Sequence, residues 1–243
     1  MAASAVGRPI AIDLFSGAGG LSYGLGQAGF DVRLGLDNDK HALATYAENH
    51  DGAALLADVR EMNGRDLMTE AGVSHVDLLA GGPSCQGFST HGKRLADDPR
   101  NFLYKEFMRL VDDIRPSTVL IENVKGMLIS GQGAFRREVE AGFASMGYTV
   151  TAQVLLAADY GAPQLRERVV FLASRIGEDL KLPLATFAKM PTERQLEAGI
   201  RPHRTVEDAL SDLPRIGDDH RAEPARYRTK PKNDFQLEMR SEG

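Results

Sequence analysis

From Pro9 to about Ser174, short apolar runs alternate with stretches in which apolar residues recur every three or four positions. The first pattern marks strands and the second amphipathic helices. Strands are predicted over Ile10–Phe15, Val32–Leu36, Ala54–Ala57, Val76–Ala80, Thr118–Ile121, Thr149–Leu155 and Arg168–Ala173. Helices are predicted over Leu21–Ala28, His41–His50, Phe102–Ile114 and Phe135–Met146. This alternation gives an α/β fold, a parallel sheet covered by helices. From Gly177 onward the pattern fails, as Pro183, Pro191, Pro202, Pro214, Pro224 and Pro231 interrupt a polar stretch with a short helical signal at Val206–Leu210. The expected organisation is a domain over residues 1–176 followed by an irregular region over residues 177–243.

Composition narrows the class. The 243 residues are 42% hydrophobic and 26% charged, ordinary globular usage that excludes a disordered, collagen-like or coiled-coil chain. No apolar run reaches the roughly 18 residues that cross a bilayer. The opening MAASAVGRPIAIDLF has no basic stretch before an apolar one, so neither a membrane span nor a signal peptide is expected and the predicted location is cytoplasmic. A single cysteine, Cys85, excludes an internal disulfide and a multi-cysteine zinc site. No metal is expected, and the thiol is left for chemistry. A net charge of −5 does not advertise a nucleic-acid binder, so any such contact must use a local basic surface. The run Arg226-Tyr-Arg-Thr-Lys-Pro-Lys232 is one candidate, either lying along a phosphate backbone or forming a solvated loop.

Four constellations can carry chemistry. The first is strand Ile10–Phe15, then Ser16-Gly-Ala-Gly-Gly20, then a helix. Its glycines permit a tight turn, and the free N–H groups of the helix start attract a ligand. Asp37, at the end of the second strand, can accept hydrogen bonds from ribose hydroxyls, so a nucleoside cofactor fits. The dinucleotide fingerprint is incomplete, because Ser22 stands where its third glycine or alanine belongs. The second is Leu79-Ala-Gly-Gly-Pro-Ser-Cys-Gln-Gly-Phe-Ser89, after the fourth strand, where loops at carboxyl strand ends form the binding crevice. A lone cysteine is ordinarily a small buried hydrophobe, but Cys85 lies in a polar, glycine-rich loop and can act as a nucleophile. The third is Val119-Leu-Ile-Glu-Asn-Val-Lys-Gly126, whose Glu122 must be paired or protonated at the edge of an apolar strand, or else solvated. In the fourth, Gln164, Arg166 and Arg168 alternate as a strand begins, which would place all three on one face.

Taken in order, these motifs resemble the C5-cytosine DNA methyltransferases. Asp13-Leu-Phe-Ser-Gly-Ala-Gly-Gly-Leu-Ser22 is similar to that family's S-adenosylmethionine motif, and Gly81 to Ser89 to its catalytic Pro-Cys-Gln loop. Glu122-Asn-Val124 resembles its Glu-Asn-Val motif, and Gln164-x-Arg166-x-Arg168 its Gln-x-Arg-x-Arg motif. The resemblance implies a Rossmann-like class I S-adenosylmethionine-dependent methyltransferase sheet with helices on both faces. It implies transfer of a methyl group to C5 of a cytosine flipped out of double-stranded DNA, in a bacterial restriction-modification or related system. Cys85 would add to C6 of the base, Glu122 would contact N3 and the exocyclic amine, and Arg168 the O2 side. Arg166 would support the loop and nearby phosphates. For the cofactor, the resemblance assigns Phe15, Ser16, Gly17, Ala18, Gly19, Gly20, Asp37, Asp58 and Val59, with Asp37 at the ribose and Asp58 and Val59 at the adenine. One departure is Ser84, where the family usually has proline directly before the nucleophile.

The family's late arginine and Gly-Asn-Ser motifs are absent before Gly243. The resemblance therefore implies that site-specific methylation needs more polypeptide, so this sequence is either a fragment or the catalytic part of a split enzyme with a second subunit. Other readings are an inactive relic of a methyltransferase, a transfer RNA methyltransferase, since one branch of the family acts on that substrate, and an NAD-dependent oxidoreductase. The last leaves Cys85, Glu122 and Arg168 without a use.

Overall fold

The apolar runs of the first two thirds of the chain become one seven-stranded sheet. The computed structural model describes residues 7–83, 103–129, 133–177, 180–214, 227 and 229–241. The strands are β1 (Ile10–Leu14), β2 (Asp31–Asp37), β3 (Ala53–Leu56), β4 (Leu78–Gly81), β5 (Thr118–Val124), β6 (Thr149–Leu156) and β7 (Glu167–Ser174). Between them run α1 (Gly20–Gln27), α2 (Lys40–Asn49), α3 (Gly64–Glu70), α4 (Leu103–Ile114), α5 (Gly126–Ile129) and α6 (Ala134–Ser145). Each strand and helix predicted in this part of the chain is present, with ends shifted by a few residues. Helices α3 and α5 were not predicted, being too short for helical periodicity to register.

The strand order is β3-β2-β1-β4-β5-β7-β6. Pairs β1–β2, β1–β4, β2–β3 and β4–β5 are parallel, but β5 and β7 run antiparallel. The sheet is therefore mixed, which corrects the expectation of a wholly parallel one. A parallel return needs a crossover of a dozen or more residues, and the β6–β7 connection holds only a short 3-10 turn, Ala157–Tyr160.

Period-two alternation in β1 sets the two faces of the sheet. Ala11 packs with Leu25 of α1, Leu78 and Ala80, whereas Ile12 and Leu14 join Leu34, Leu79, Phe107 and Leu110 in the main core. Both β2 and β4 flank β1, so the chain winds outward from it in both directions. Loops at the carboxyl ends of these strands diverge there and leave a crevice.

By Cα packing the chain divides into two compact units, residues 1–154 with 168–182, and residues 155–167 with 183–243. The segment 155–167, counted with the first region in the sequence reading, clusters with the second unit. In that unit β8 (Phe187–Ala188) and β9 (Arg201–Pro202) pair in parallel, and α7 (Glu193–Glu197), α8 (Val206–Leu210) and α9 (Asp234–Ser241) are short helices. Capping boxes start α7 and α8: the Thr192 and Thr205 hydroxyls accept backbone N–H groups of Gln195 and Asp208, whose side chains reach back. Among the described residues no helix is long and apolar enough to cross a membrane.

Candidate active site

Immediately after β1 the chain makes a tight turn. Phe15 has φ +60°, Gly17 +54° and Gly19 +94°. A non-glycine residue at positive φ is strained and persists only where its surroundings hold it. Here the Ser16 N–H donates to the Leu36 carbonyl at 3.0 Å, and the Gly17 N–H donates to Asp37 Oδ2 at 2.8 Å. Both bonds tie the turn to the end of β2. Gly19 caps α1, and a Cβ there would lie 2.0 Å from His50 Nε2 and 2.9 Å from Tyr46 Cδ2. Conformation and space thus both demand glycine. Ala18 and Gly20 are exposed, and Gly20 opens the helix.

Asp13, which stands in the Asp13–Ser22 motif, has a structural role that the motif does not reveal. It is 1% exposed, and because Gly19 has no side chain to cap α1, Asp13 does so from β1. Its carboxyl accepts the Ser22 hydroxyl at 2.7 Å and the Ser22 backbone N–H. The Tyr46 hydroxyl lies 3.3 Å from Ser22 Oγ. Burial pushes the Asp13 carboxyl up to about 7, overriding the Ser22 hydrogen bonds, which favour the charged form. Asp13 Oδ1 and the Ser16 hydroxyl are buried without a hydrogen-bond partner among the described residues. An acid inside the run Ile-Ala-Ile-Asp-Leu-Phe was the available signal.

Beyond this turn opens a cleft of about 430 Å³ lined by Phe15, Leu36, Asp37, Asn38, Ala57, Asp58, Val59, Arg60, Gly82 and Leu103. Four of the predicted cofactor residues, Phe15, Asp37, Asp58 and Val59, come together on its wall. Ser16, Gly17, Ala18, Gly19 and Gly20 do not line it; Gly17 acts on it through Asp37. That carboxylate also accepts the Asp39 N–H at 2.9 Å, which fixes its orientation. Asp58 caps the 3-10 turn Val59–Glu61 and receives the Arg60 Nε at 2.9 and 3.0 Å. The Arg60 guanidinium and backbone N–H hold its carboxyl below the usual range.

A second cluster forms on β5 and β7. In the antiparallel register Glu122 faces Val170 and Val124 faces Arg168, so Glu122 and Arg168 are diagonal neighbours on one face. Arg168 Nε donates to Glu122 Oε1 at 2.8 Å. Of the alternatives left open for Glu122, the carboxylate is paired. Glu122 Oε2 lies 3.3 Å from where a Cβ on Gly82 would sit. Asn123 Nδ2 donates to the Pro83 carbonyl at 2.7 Å and Asn123 Oδ1 accepts the Val124 N–H at 2.8 Å. Gly82 therefore belongs to both places: it lines the cleft and abuts the Glu122 carboxylate. Ser84 and Cys85 lie outside the described residues.

One expectation needs correction. Gln164 and Arg166 do not alternate with Arg168 along a strand, because β7 begins at Glu167. Both are exposed in a turn where the Arg166 N–H donates to the Gln164 carbonyl at 3.0 Å and the Arg166 carbonyl accepts the Ala157 N–H at 2.9 Å. Pro163 and the tight turn override the period-two pattern. Arg226 and Arg228 of the basic run lie outside the described residues, while Lys230 and Lys232 are exposed.

Strand order defines a Rossmann-like α/β fold, with a cleft at the carboxyl strand ends and an acid–arginine pair beside it as the candidate site. Comparison with known proteins narrows this. A model of the C-5 cytosine-specific DNA methylase family matches residues 10–240, and the chain belongs to that family. It is 37% identical to the type II methyltransferase M.AgeI of Thalassovita gelatinovora, over 94% of this chain and 57% of that protein. With the type II methyltransferase M.AquIA of Picosynechococcus sp. it shares 36% identity over 84% of this chain and 88% of that protein. Among solved structures, a protein described as a DNA modification methyltransferase encoded within an E. coli prophage superposes with a TM-score of 0.71 at 34% identity, covering 93% of this chain and 61% of that one. The chain thus spans little more than half of M.AgeI and most of M.AquIA.

Proposed function

We propose that the chain is the catalytic part of a DNA (cytosine-5-)-methyltransferase, which moves a methyl group from S-adenosylmethionine to C5 of a cytosine flipped out of double-stranded DNA. The observation that carries this reading is the meeting at Gly82 of a carboxylate-lined cleft and the Glu122–Arg168 pair. A nucleoside cofactor would fit the cleft: Phe15 would offer an aromatic face, Asp37 would accept from ribose hydroxyls, and Asp58 with Val59 would hold an adenine edge. When bound, S-adenosylmethionine would supply an electrophilic methyl group on a sulfonium, which keeps the C–S bonding pair and leaves as a neutral thioether.

The chain's own residues then prepare the base. Carbon 5 of cytosine is a poor nucleophile, so the Cys85 thiolate adds to C6 and drives the C5=C6 π electrons onto C5. Glu122, once it has taken up a proton, donates it at N3, so that negative charge does not accumulate on the ring, while Arg168 contacts the O2 side. Arg168 also fixes the direction of the Glu122 carboxyl. After C5 has taken the methyl group, its proton leaves to a base, the C5=C6 bond re-forms, the C6–S electrons return to Cys85 as thiolate, and the N3 proton returns to Glu122. A stacked base is out of the thiol's reach, hence the flipped nucleotide. Arg166 supports the neighbouring loop and phosphates. We assign residues 1–176 to catalysis and cofactor binding, residues 177–243 to the beginning of a DNA-recognition region, and the protein to the cytoplasm, in a restriction-modification or related system.

A further part of the reading is that the remaining target recognition resides on additional polypeptide, in the arrangement of a second subunit. Its support is that this chain matches 57% of the length of M.AgeI, a type II methyltransferase whose remaining length lies outside the match.

The test is Cys85→Ala. Methyl transfer from labelled cofactor to mixed-sequence DNA, assayed with and without the polypeptide encoded next to it, should fall to background, while S-adenosylmethionine affinity stays within about threefold. Substantial residual turnover would remove the covalent mechanism, and a parent chain inert under both conditions would leave a relic.

A further inference from the structure

The turn carrying Asp58 is held from outside. Arg109, on α4, donates through Nη2 to the Met62 carbonyl at 2.8 Å and to the Val59 carbonyl at 3.2 Å. Its Nε donates to Glu106 Oε2 at 2.8 Å and its Nη1 to Asp113 Oδ2 at 3.3 Å. The same Asp113 oxygen accepts the Gly64 N–H at 3.2 Å. Glu106, Arg109 and Asp113 follow helical spacing and share one face of α4. That face therefore grips residues 59–64 at three backbone points, two carbonyls and one N–H. Packing there is close, since a Cβ on Gly64 would lie 2.6 Å from Asp113 Cβ.

A guanidinium suits this task because its N–H groups fan out in a plane and can serve four acceptors at once. The Arg109 side chain is 37% exposed, and ion pairs at such exposure add little to global stability. Its bonds to Val59 and Met62 instead fix one wall of the cleft, where a displacement of a fraction of an ångström changes whether a ligand edge finds its acceptor.

We propose that Arg109 is a positioning residue for recognition of the cofactor's adenine, acting through the Val59 and Met62 carbonyls on the turn that presents Asp58. This rests on the reading of the cleft as the S-adenosylmethionine site. Arg109 is not among the residues that line the cleft; it decides where Asp58 and Val59 stand.

The experiment measures calorimetric affinity of the whole chain for S-adenosylhomocysteine and for S-inosylhomocysteine, whose 6-amino group is replaced by an oxygen. The parent should prefer the adenosine compound by about tenfold or more, the scale of one hydrogen bond to a charged group. In Arg109→Met that preference should shrink to within about threefold, with the melting temperature lowered by only a few degrees, as for loss of a half-exposed pair. Arg109→Lys, which keeps the charge but not the planar fork, should fall between them and serves as the deciding variant if Arg109→Met does not fold. If both compounds weaken equally and the preference survives, Arg109 is a structural brace and the inference is overturned. If the parent binds neither compound, the cofactor reading itself fails, and the inference goes with it.

Discussion

In the first unit Tyr46, Phe107, Phe143 and Phe171 are fully buried, together with leucines and isoleucines from β1, β2, β4, β5 and α4. In the second, Ala158 is the buried apolar side chain among the described residues, and beside it the buried side chains are polar, Asp212 and Gln236. Gln236 donates to the Asp208 carbonyl at 2.9 Å and to Ser211 Oγ at 3.0 Å, and accepts the Lys232 N–H at 2.8 Å. Arg240 pairs with Asp212 and stacks on Tyr227 at 3.8 Å. Arg204 lies over the rings of Phe187 and Phe235 at 5.3 and 4.7 Å. Large apolar side chains that would fill a core, such as Leu165, Leu184, Met190 and Val206, are exposed instead. The difference teaches which unit can hold a rigid site. A close-packed apolar core fixes strand ends to fractions of an ångström, whereas a few polar contacts fix only local turns. The cleft and the Glu122–Arg168 pair both stand on the first.

This contrast is open to being broken. The largest effect is expected from Phe107→Ala, which removes a fully buried ring beneath β1 and β4 and should cost about 3–5 kcal/mol of unfolding free energy. Urea denaturation measures it, and a loss smaller than that caused by any single substitution in the second unit would reverse the comparison. Next is Glu122→Gln, which keeps the side chain's size but cannot pass a proton. Its single-turnover rate should drop by ~10² or more with stability unchanged. A parent-like rate and pH profile would make Glu122 a structural partner of Arg168 and nothing more.

In the second unit Gln236→Ala deletes a buried hub of three hydrogen bonds and should cost about 1–3 kcal/mol. Hydrogen exchange should quicken in residues 206–211 and 229–241 and nowhere in the first unit's sheet. Exchange that quickens throughout would show the two units to be one cooperative block. A pH-dependent effect concerns Asp13, whose carboxyl rises from 3.8 to about 7 on folding. Between those values the native chain keeps a proton that the unfolded chain has released, so this contribution is fully present below the lower value and is lost as pH rises through the higher one. Asp13→Asn, which cannot titrate, should flatten the stability–pH curve over that window by up to about 1.4 kcal/mol per pH unit. Parallel curves for the two proteins would show that Asp13 does not titrate there.

The sequence by itself determined the elements of the first unit, because period-two and helical apolar spacing reflect burial that β1, β2, β4, β5 and α4 all experience. Strand position also brought Asp37, Glu122 and Arg168 into view, because loops at strand ends in an α/β sheet converge on one edge, whereas Phe15, Asp58 and Val59 came into view through the resemblance to the methyltransferase family. Tertiary structure alone decided the rest. The antiparallel entry of β7 depends on a connection too short to cross over, and Gln164 and Arg166 left the strand because a turn overrode their spacing. Asp13 became a buried helix cap only once the first turn of α1 brought Ser22 onto β1, and Gly82 became the shared wall only once β5 lay beside β4. Arg109 reads in the chain as one more solvated charge on a helix. Contacts between residues some fifty positions apart, such as Arg109 with Val59, leave no local pattern, because neither partner constrains its own neighbours until the chain has folded.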